Sequence, residues 1–416
     1  MTDAQADDGT AVCGATTEFE PDVMDLLVET VRRAVGREVP AVGTDTLLGE
    51  LVSGDTGAGE AIAPGMRKAG SLSGLIAGRA GLGWVSDDEA HGVPVTAGAG
   101  ARPEADEEEA DAAWREARWR YGLGVRGPAP EGGRVLPGMT GAMRACLLLA
   151  LRKARAEGSI SVRCRHVARA LLELPDSRAR EAMVLERLDL SAAADALDAI
   201  DLSDASAPAH TEGPESRGVT LLRRAGTLGR SGNPLTRALT SWTSGSSVNG
   251  SPVLFAVSVE AMRQAVRCGR AAVEPVDLLL GVLALDRALF VAGRSLPGAL
   301  AQANSAPALL RRHGVRQSSL VSAASRFPSA TPIPAAGVPD GGRVRPSAAA
   351  DRVVAVARLS AAEHGSPTVG TVHLLSALLD ESATDTGAEG TVVHLLTAGQ
   401  VDVAALRAEL GLRLGA

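Results

Sequence analysis

Only two lysines occur in the chain, Lys68 in PGMRKAGS and Lys153 in LALRKARA. A P-loop needs a lysine directly after the second glycine of G-x-x-x-x-G-K-[ST], so that the ammonium reaches the phosphates that the loop amides cradle. Neither context fits, which excludes a standard P-loop ATPase. The glycine-rich GDTGAGE at 54–60 follows helical sequence rather than a strand, which argues against a phosphate loop. The seven histidines are scattered, with no H-E-x-x-H, no G-x-S-x-G and no dinucleotide fingerprint after a strand. Cys13, Cys146, Cys164 and Cys268 form no C-x-x-C and read as reduced, mostly buried thiols of a cytoplasmic protein. The expectation is a protein without a catalytic residue, metal or cofactor.

The residues with most binding potential lie in PEADEEEADAAWREARWRYGLG. Its acidic first turns suit a helix N-terminus, and Arg115, Arg118 and Arg120 suit the other end. Trp114, Trp119 and Tyr121 gather there in a chain with only four Trp, four Phe and one Tyr. A helix over 104–121 carries them either as a partner-docking element, since aromatics anchor interfaces, or as a segment folded back on its own domain. The DEEE run at 106–109 reads as a solvated face.

Hydrophobic residues make up 45% of the 416 positions, but aromatics only 2%. A core of Ala, Leu and Val favours helices over strands, so the expected fold class is all-α. The net charge of −7 argues against a uniformly basic nucleic-acid binder. No apolar run reaches the roughly 18 residues of a membrane helix. The acidic start MTDAQADDGTAVCGA lacks the basic region of a signal peptide.

One pattern recurs four times without gaps: an opening residue, an amphipathic helical stretch, a small break, and a short Leu-rich helix. The copies open at Glu20, Thr140, Ser251 and Ser347, each 24 positions before Thr44, Cys164, Pro275 or Thr371. Thr140, Ser251 and Ser347 are good N-caps, and Pro21 and Pro252 stand at the first helical position. Gly158, Gly269 and Gly365 end the first helix in three copies, while Glu38 stands there in the first. Ala350, Val353, Val354, Ala357 and Ala361 show the apolar stripe of the fourth copy.

These copies, and above all GTVHLLSALL at 370–379 and GTDTLLGELV at 43–52, resemble the repeat of the Clp chaperone N-terminal domain, without the AAA+ ATPase modules. The resemblance implies two tandem Clp-N-like helical domains, each a pseudo-twofold pair of repeats. The implied layout is a flexible N-terminus (1–18) and a first domain (19–202) with repeats near 20–79 and 140–200 around an acidic and aromatic insertion at 80–135. A linker (203–250), with a basic helix at Val219–Arg230, leads to a second domain (251–416) with repeats near 251–325 and 347–414. A proline-rich stiff loop at 326–346 joins the last two copies. His166 and His373 fall at the family's histidine position, where packing or capping is expected. Some members bind phosphorylated arginine through acids preceding that histidine and through opening-residue neighbours. The matching positions here are Asp45, Arg165, Val276 and Val372, so only Asp45, with the opening residues Glu20 and Thr140, remains as a ligand site, and Asp45 also suits a first-turn acid.

The function that follows is a non-enzymatic protein-binding module for clients, adaptors or small ligands, acting as adaptor, decoy or sequestering factor linked to Clp proteolysis. The alternative is a structural scaffold of an unrelated cytoplasmic assembly. Expected partners are a protein or client peptide, Clp protease components among them, and neither nucleic acid, membrane nor ATP.

Overall fold

The computed structural model describes residues 14–66, 70–79, 83–86, 88, 103–124, 136–206, 213–228, 251–326, 344–381 and 390–415. Among them are nineteen helices and six two-residue strands, so the protein is mostly helical. The chain divides into two compact units. One is built on Thr17–Thr211, the other on Glu212–Ile333 and Val344–Ala416 with Met1–Thr16.

In the first unit the order is β1 (Glu18–Phe19), α1 (Pro21–Gly36), β2 (Ala41–Val42), α2 (Thr44–Ser53), α3 (Gly57–Ile62), α4 (Ser71–Arg79), α5 (Pro103–Gly124), β3 (Gly138–Met139), α6 (Gly141–Ala156), β4 (Ser161–Val162), α7 (Cys164–Glu173), α8 (Arg178–Leu185) and α9 (Leu190–Ser206). The strands pair in parallel and crosswise. Glu18 and Phe19 lie beside Ser161 and Val162, and Ala41 and Val42 beside Gly138 and Met139. A shift of 120 residues turns each pair into the other (18 to 138, 41 to 161). The opening residues continue these ladders: Glu20 N donates to Val162 O and Thr140 N to Val42 O, both at 3.0 Å.

The second unit contains α10 (Arg217–Arg224), α11 (Pro252–Arg267), β5 (Ala272–Val273), α12 (Pro275–Val291), α13 (Gly298–Ala301), α14 (Ala306–Arg312), α15 (Gln317–Ser325), β6 (Arg345–Pro346), α16 (Ala348–Glu363), α17 (Thr371–Leu379), α18 (Thr391–Ala398) and α19 (Val403–Leu414). Here β5 pairs in parallel with β6, and Ser347 N donates to Val273 O at 2.9 Å.

Local chemistry sets the helix ends. Thr140, Ser251 and Ser347 accept from the backbone N–H three residues on, at 3.2–3.3 Å. Glu20 makes no such side-chain bond, and Pro21 starts α1 instead. At the other end Gly158, Gly269 and Gly365 take positive φ. The next residue's N–H then reaches back to Ala154, Ala265 or Ala361 O at 2.8 Å, the wrap of a Schellman turn. In the first copy Glu38 adopts the same left-handed geometry, at φ 55°, and Val39 N bonds Ala34 O.

The second helix of each repeat is the central one. α2, α12 and α17 are buried around almost their whole circumference, polar residues such as Thr44, Asp45 and Asp277 included. The first helices keep one polar face. Burial pushes the thiols of Cys146 and Cys164 upward, leaving them protonated core groups.

The structure corrects four expectations. First, α5 does not present its aromatics: Trp114 and Trp119 are 5% and 8% exposed, and Tyr121 is half-buried against the core. The helix lies against α1 and α6. Second, the DEEE run is solvated only in part: Glu107 is exposed, but Asp106 and Glu109 are buried. Asp106, fully buried, pairs with Arg155 and lies 3.9 Å from Arg152, and Asp111 takes a bidentate bond from Arg144 at 2.6 and 2.8 Å. An acidic helix has found the basic stripe of α6, where paired charges tolerate burial. Third, the basic helix expected at Val219–Arg230 is α10, at Arg217–Arg224, and it is not a free linker element but packs on α11; the Glu260 carboxylate takes Ser216 Oγ at 2.7 Å and Gly218 N at 3.2 Å. Fourth, residues 14–16 are held within the second unit, where Arg287 Nε donates to Thr16 O and Ser318 N to Gly14 O. Cys13 and most of the proline-rich 326–346 stretch lie outside the described residues.

Two stability measurements follow. Trp114→Ala should cost about 3–5 kcal/mol in denaturant unfolding, as for a buried aromatic cut to Ala; a change below about 1 kcal/mol would show that the indole is not part of the core. Glu38→Gly should stabilise by about 1 kcal/mol, because the left-handed conformation is strained for any residue with a Cβ; destabilisation would contradict this account of the turn.

Candidate functional site

The positions singled out in the sequence converge at the starts of the central helices. At α2, Gly43 is the N-cap and Thr44 the first helical residue. No side chain of the cap itself serves the free N–H groups there. A carboxylate from the insertion does. Asp88, fully buried, takes Thr44 N at 2.7 Å and Thr44 Oγ1 at 3.0 Å on Oδ2, and Arg178 N at 2.8 Å on Oδ1. Its own carbonyl accepts from Ala142 N at 2.9 Å. Thr44 Oγ1 in turn accepts from Ala179 N at 3.0 Å. The positive ends of α2, α6 and α8 thus meet on one acidic residue, which is favourable electrostatics.

Asp45 stands beside it, 5% exposed, with Oδ1 unpaired. Burial, then the charge of Asp88, pushes its carboxyl above the ordinary range, while Arg178 pulls the other way. A Cβ on Gly43 would lie 2.4 Å from Asp45 Oδ1, 2.9 Å from Asp88 Oδ2 and 3.2 Å from Arg178 Nη1. Only glycine leaves room for that packing.

The related helix starts are also filled from elsewhere. Cys164 N donates to Asp22 Oδ2 at 3.3 Å. Residue 142 is the counterpart of residue 22 at the 120-residue shift, and it is Ala142, too short to cap α2; Asp88 takes that place. In the second unit Thr371 N donates to Asn304 Oδ1 at 3.0 Å and Val372 N to Ala303 O at 3.1 Å.

The histidine of the second and fourth repeats is a capping residue. Arg163 N donates to His166 Nδ1 at 2.8 Å, and Gly370 N to His373 Nδ1 at 3.0 Å. The other His166 nitrogen lies 2.9 Å from Glu157 Oε2, so a neutral ring carries its proton on Nε2. In the third repeat Asp277 does the same work, accepting from Glu274 N at 2.9 Å while paired with the buried Arg270. Burial raises Asp277 to about 6 despite that guanidinium.

Of the expected site residues, only Asp45 belongs to this constellation. Glu20 and Thr140 are buried in the strand ladders and cap positions, where they serve the backbone rather than an open groove. Trp114, Trp119 and Tyr121 belong to the α5 packing. Arg165 is tied to Glu157 at 2.7 Å. Val276 and Val372 are buried. GDTGAGE is no phosphate loop: Gly59 N bonds Thr56 Oγ1 and a Cβ on Gly59 would meet Leu51 O at 2.1 Å. Asp88, the residue that completes the site, went unnoticed in the sequence because its partners lie 44 and 90 positions away. Among the described residues no group of three His, Cys, Asp or Glu converges as a metal site would, and no helix is long and apolar enough to cross a membrane.

Compared with known protein families, curated proteins and solved structures, the chain matches none.

The capping histidine has a pH signature. Burial, then the charge of His364, lowers the His373 pKa from 6.5. The unfolded chain therefore takes up this proton before the folded one, so stability is complete above the unfolded value and falls as the pH drops through it. His373→Gln keeps an acceptor at the same helical position and cannot titrate. Its melting temperature should drop less than that of the wild type between about pH 7 and pH 5; equal drops would remove His373 from the account.

Proposed function

We propose that the chain is a non-enzymatic protein-binding protein made of two Clp-N-like domains, which engages clients or adaptors as an adaptor, decoy or sequestering factor of Clp proteolysis. The observation that carries this reading is the crosswise strand pairing of the first two repeats. Each repeat lends the strand before its first helix to the strand before the other's second helix, at one common shift of 120 residues. The pair β5·β6 with the Ser347–Val273 bond repeats the relation of β2·β3 with the Thr140–Val42 bond. That geometry agrees with the pseudo-twofold repeat pair that the sequence resemblance implies. The fold argues for a binding role by analogy only.

The scaffold reading also has an observation in its favour. The helix starts where the resemblance would put a ligand are occupied by Asp88, Asp22 and Asn304 of the chain itself. Phosphoarginine recognition is not part of the proposal, since Asp45 alone retains an acid there and Asp88 fills the space next to it.

Affinity capture from native cytoplasm separates the two readings. Clp protease or unfoldase subunits in the eluate, retained through a high-salt wash, are the expected outcome. Other defined partners without Clp subunits would replace the proposal with the scaffold.

A further inference from the structure

Asp88 does not reach α2 alone. Residues 83–86 and 88 form a strap across the first unit, held along its backbone as a bound peptide would be. Glu181 Oε2 on α8 accepts from Val85 N and Ser86 N, both at 3.0 Å, and its Oε1 accepts from Arg79 Nη1 at 2.7 Å. The Arg79 guanidinium sits 5.8 Å from the Trp84 ring centre, a cation–π distance. Val85 itself is 90% exposed. The strap thus offers two amides to one carboxylate, then a carboxylate to two helix starts, then a carbonyl to a third.

This receptor reads a segment of chain rather than a small anion, because three of its contacts are to backbone groups. Its occupant is also incomplete. Asp88 satisfies the donors of Thr44 and Arg178, but Asp45 Oδ1, buried and facing the same point beside Gly43, receives no hydrogen bond. A buried carboxylate oxygen without a donor is costly. A segment that supplied one further donor next to its acid would fit better than the strap does.

We infer that the α2–α8 helix starts, with Glu181 and Asp45, form a receptor for acidic peptide segments, and that the strap residues 83–86 and 88 occupy it as an internal competitor. This rests on the reading of the chain as a binder of other proteins' segments, and supplies the segment chemistry: an Asp or Glu preceded by two free backbone amides. A tethered competitor acts at an effective concentration of order millimolar, so an external segment must bind well or arrive with the strap loosened.

The test uses the full chain and a capped peptide, Gly-Trp-Val-Ser-Asp-Asp, which copies the strap. Calorimetry should show binding to Asp88→Ala, whose strap has lost its carboxylate bonds to Thr44 and Arg178 and competes more weakly. Binding to the wild type should be at least about tenfold weaker because of the tethered competitor. A peptide ending in Asn should bind Asp88→Ala about tenfold more weakly than the one ending in Asp, having lost the charge-assisted bonds. A folded Asp88→Ala that ignores the peptide, or wild-type and variant chains that bind it equally, would overturn the inference, as would indifference to Asp against Asn.

Asp88→Asn covers the case in which Asp88→Ala does not fold, since it keeps an acceptor at the helix starts, loses the charge-assisted bonds that hold the strap, and leaves Glu181 and Asp45 in place. Hydrogen exchange at Val85, Ser86, Thr44 and Arg178 should then quicken together, with peptide binding gained. Unchanged exchange, or quickened exchange without binding, overturns the inference. Peptide binding without capture of Clp subunits would remove only the Clp-linked reading. Capture without peptide binding would remove only the receptor.

Discussion

Two ladders of two residues each govern the first unit. Such short strands contribute little energy, but they fix register. Once Phe19 lies beside Val162 and Val42 beside Met139, the next N–H in each chain segment meets a defined carbonyl, and the helix that follows must start there. A slip of one residue would turn the buried Phe19 and Val162 to the opposite face and misplace both helices. Crosswise pairing also means that neither repeat can be completed from its own residues: the strand before α2 is paired only when the strand before α6 has arrived, and the reverse.

Helix starts raise the second demand. A buried helix N-terminus leaves amide donors that must find acceptors, and α2, α7 and α17 are all central. Each uses a side chain from elsewhere in its own unit: Asp88, Asp22 and Asn304. The carboxylates gain from the helix dipoles as well as from hydrogen bonds. The first repeat shows how such a demand shapes a chain. With Ala142 where the symmetric acid would stand, a distant insertion supplies the missing group, and Gly43 makes room for it. The histidines complete the pattern from inside the helix, returning an acceptor to the cap residue's N–H.

The helical class, the four-fold register and most helix ends were legible because they depend on residues close in sequence. Thr140, Ser251 and Ser347 cap the helices they open, and Gly158, Gly269 and Gly365 end them, through contacts three to five positions long. The site was legible only at Asp45. Asp88 sits in a glycine- and acid-rich stretch with no periodicity, and its role exists only through partners brought up by folding. The α5 helix failed in a similar way. Its existence was plain, but the burial of Trp114, Trp119 and Asp106 depends on the basic stripe of α6, which nothing local to α5 reveals. At Glu38 the rule for a turn glycine was right about geometry and wrong about identity, since the turn is held by its backbone bonds and accepts a strained residue.

The crosswise ladders carry one more implication, which concerns chains rather than repeats. Nothing in a hydrogen bond between Val42 and Thr140 requires that both belong to the same molecule. The insertion between the first and second repeats, 80 to 135, is long enough to leave the two halves a choice of mate. During synthesis, the first repeat is complete long before its counterpart leaves the ribosome, with β1 and β2 still lacking their neighbours. A nascent chain held beside another copy on the same message could therefore close its ladders across molecules, giving an exchanged dimer with the same contacts as the monomer. Tether length and local concentration set the balance between closure within one chain and closure across two, so the length of the insertion bears on assembly as well as supplying the strap.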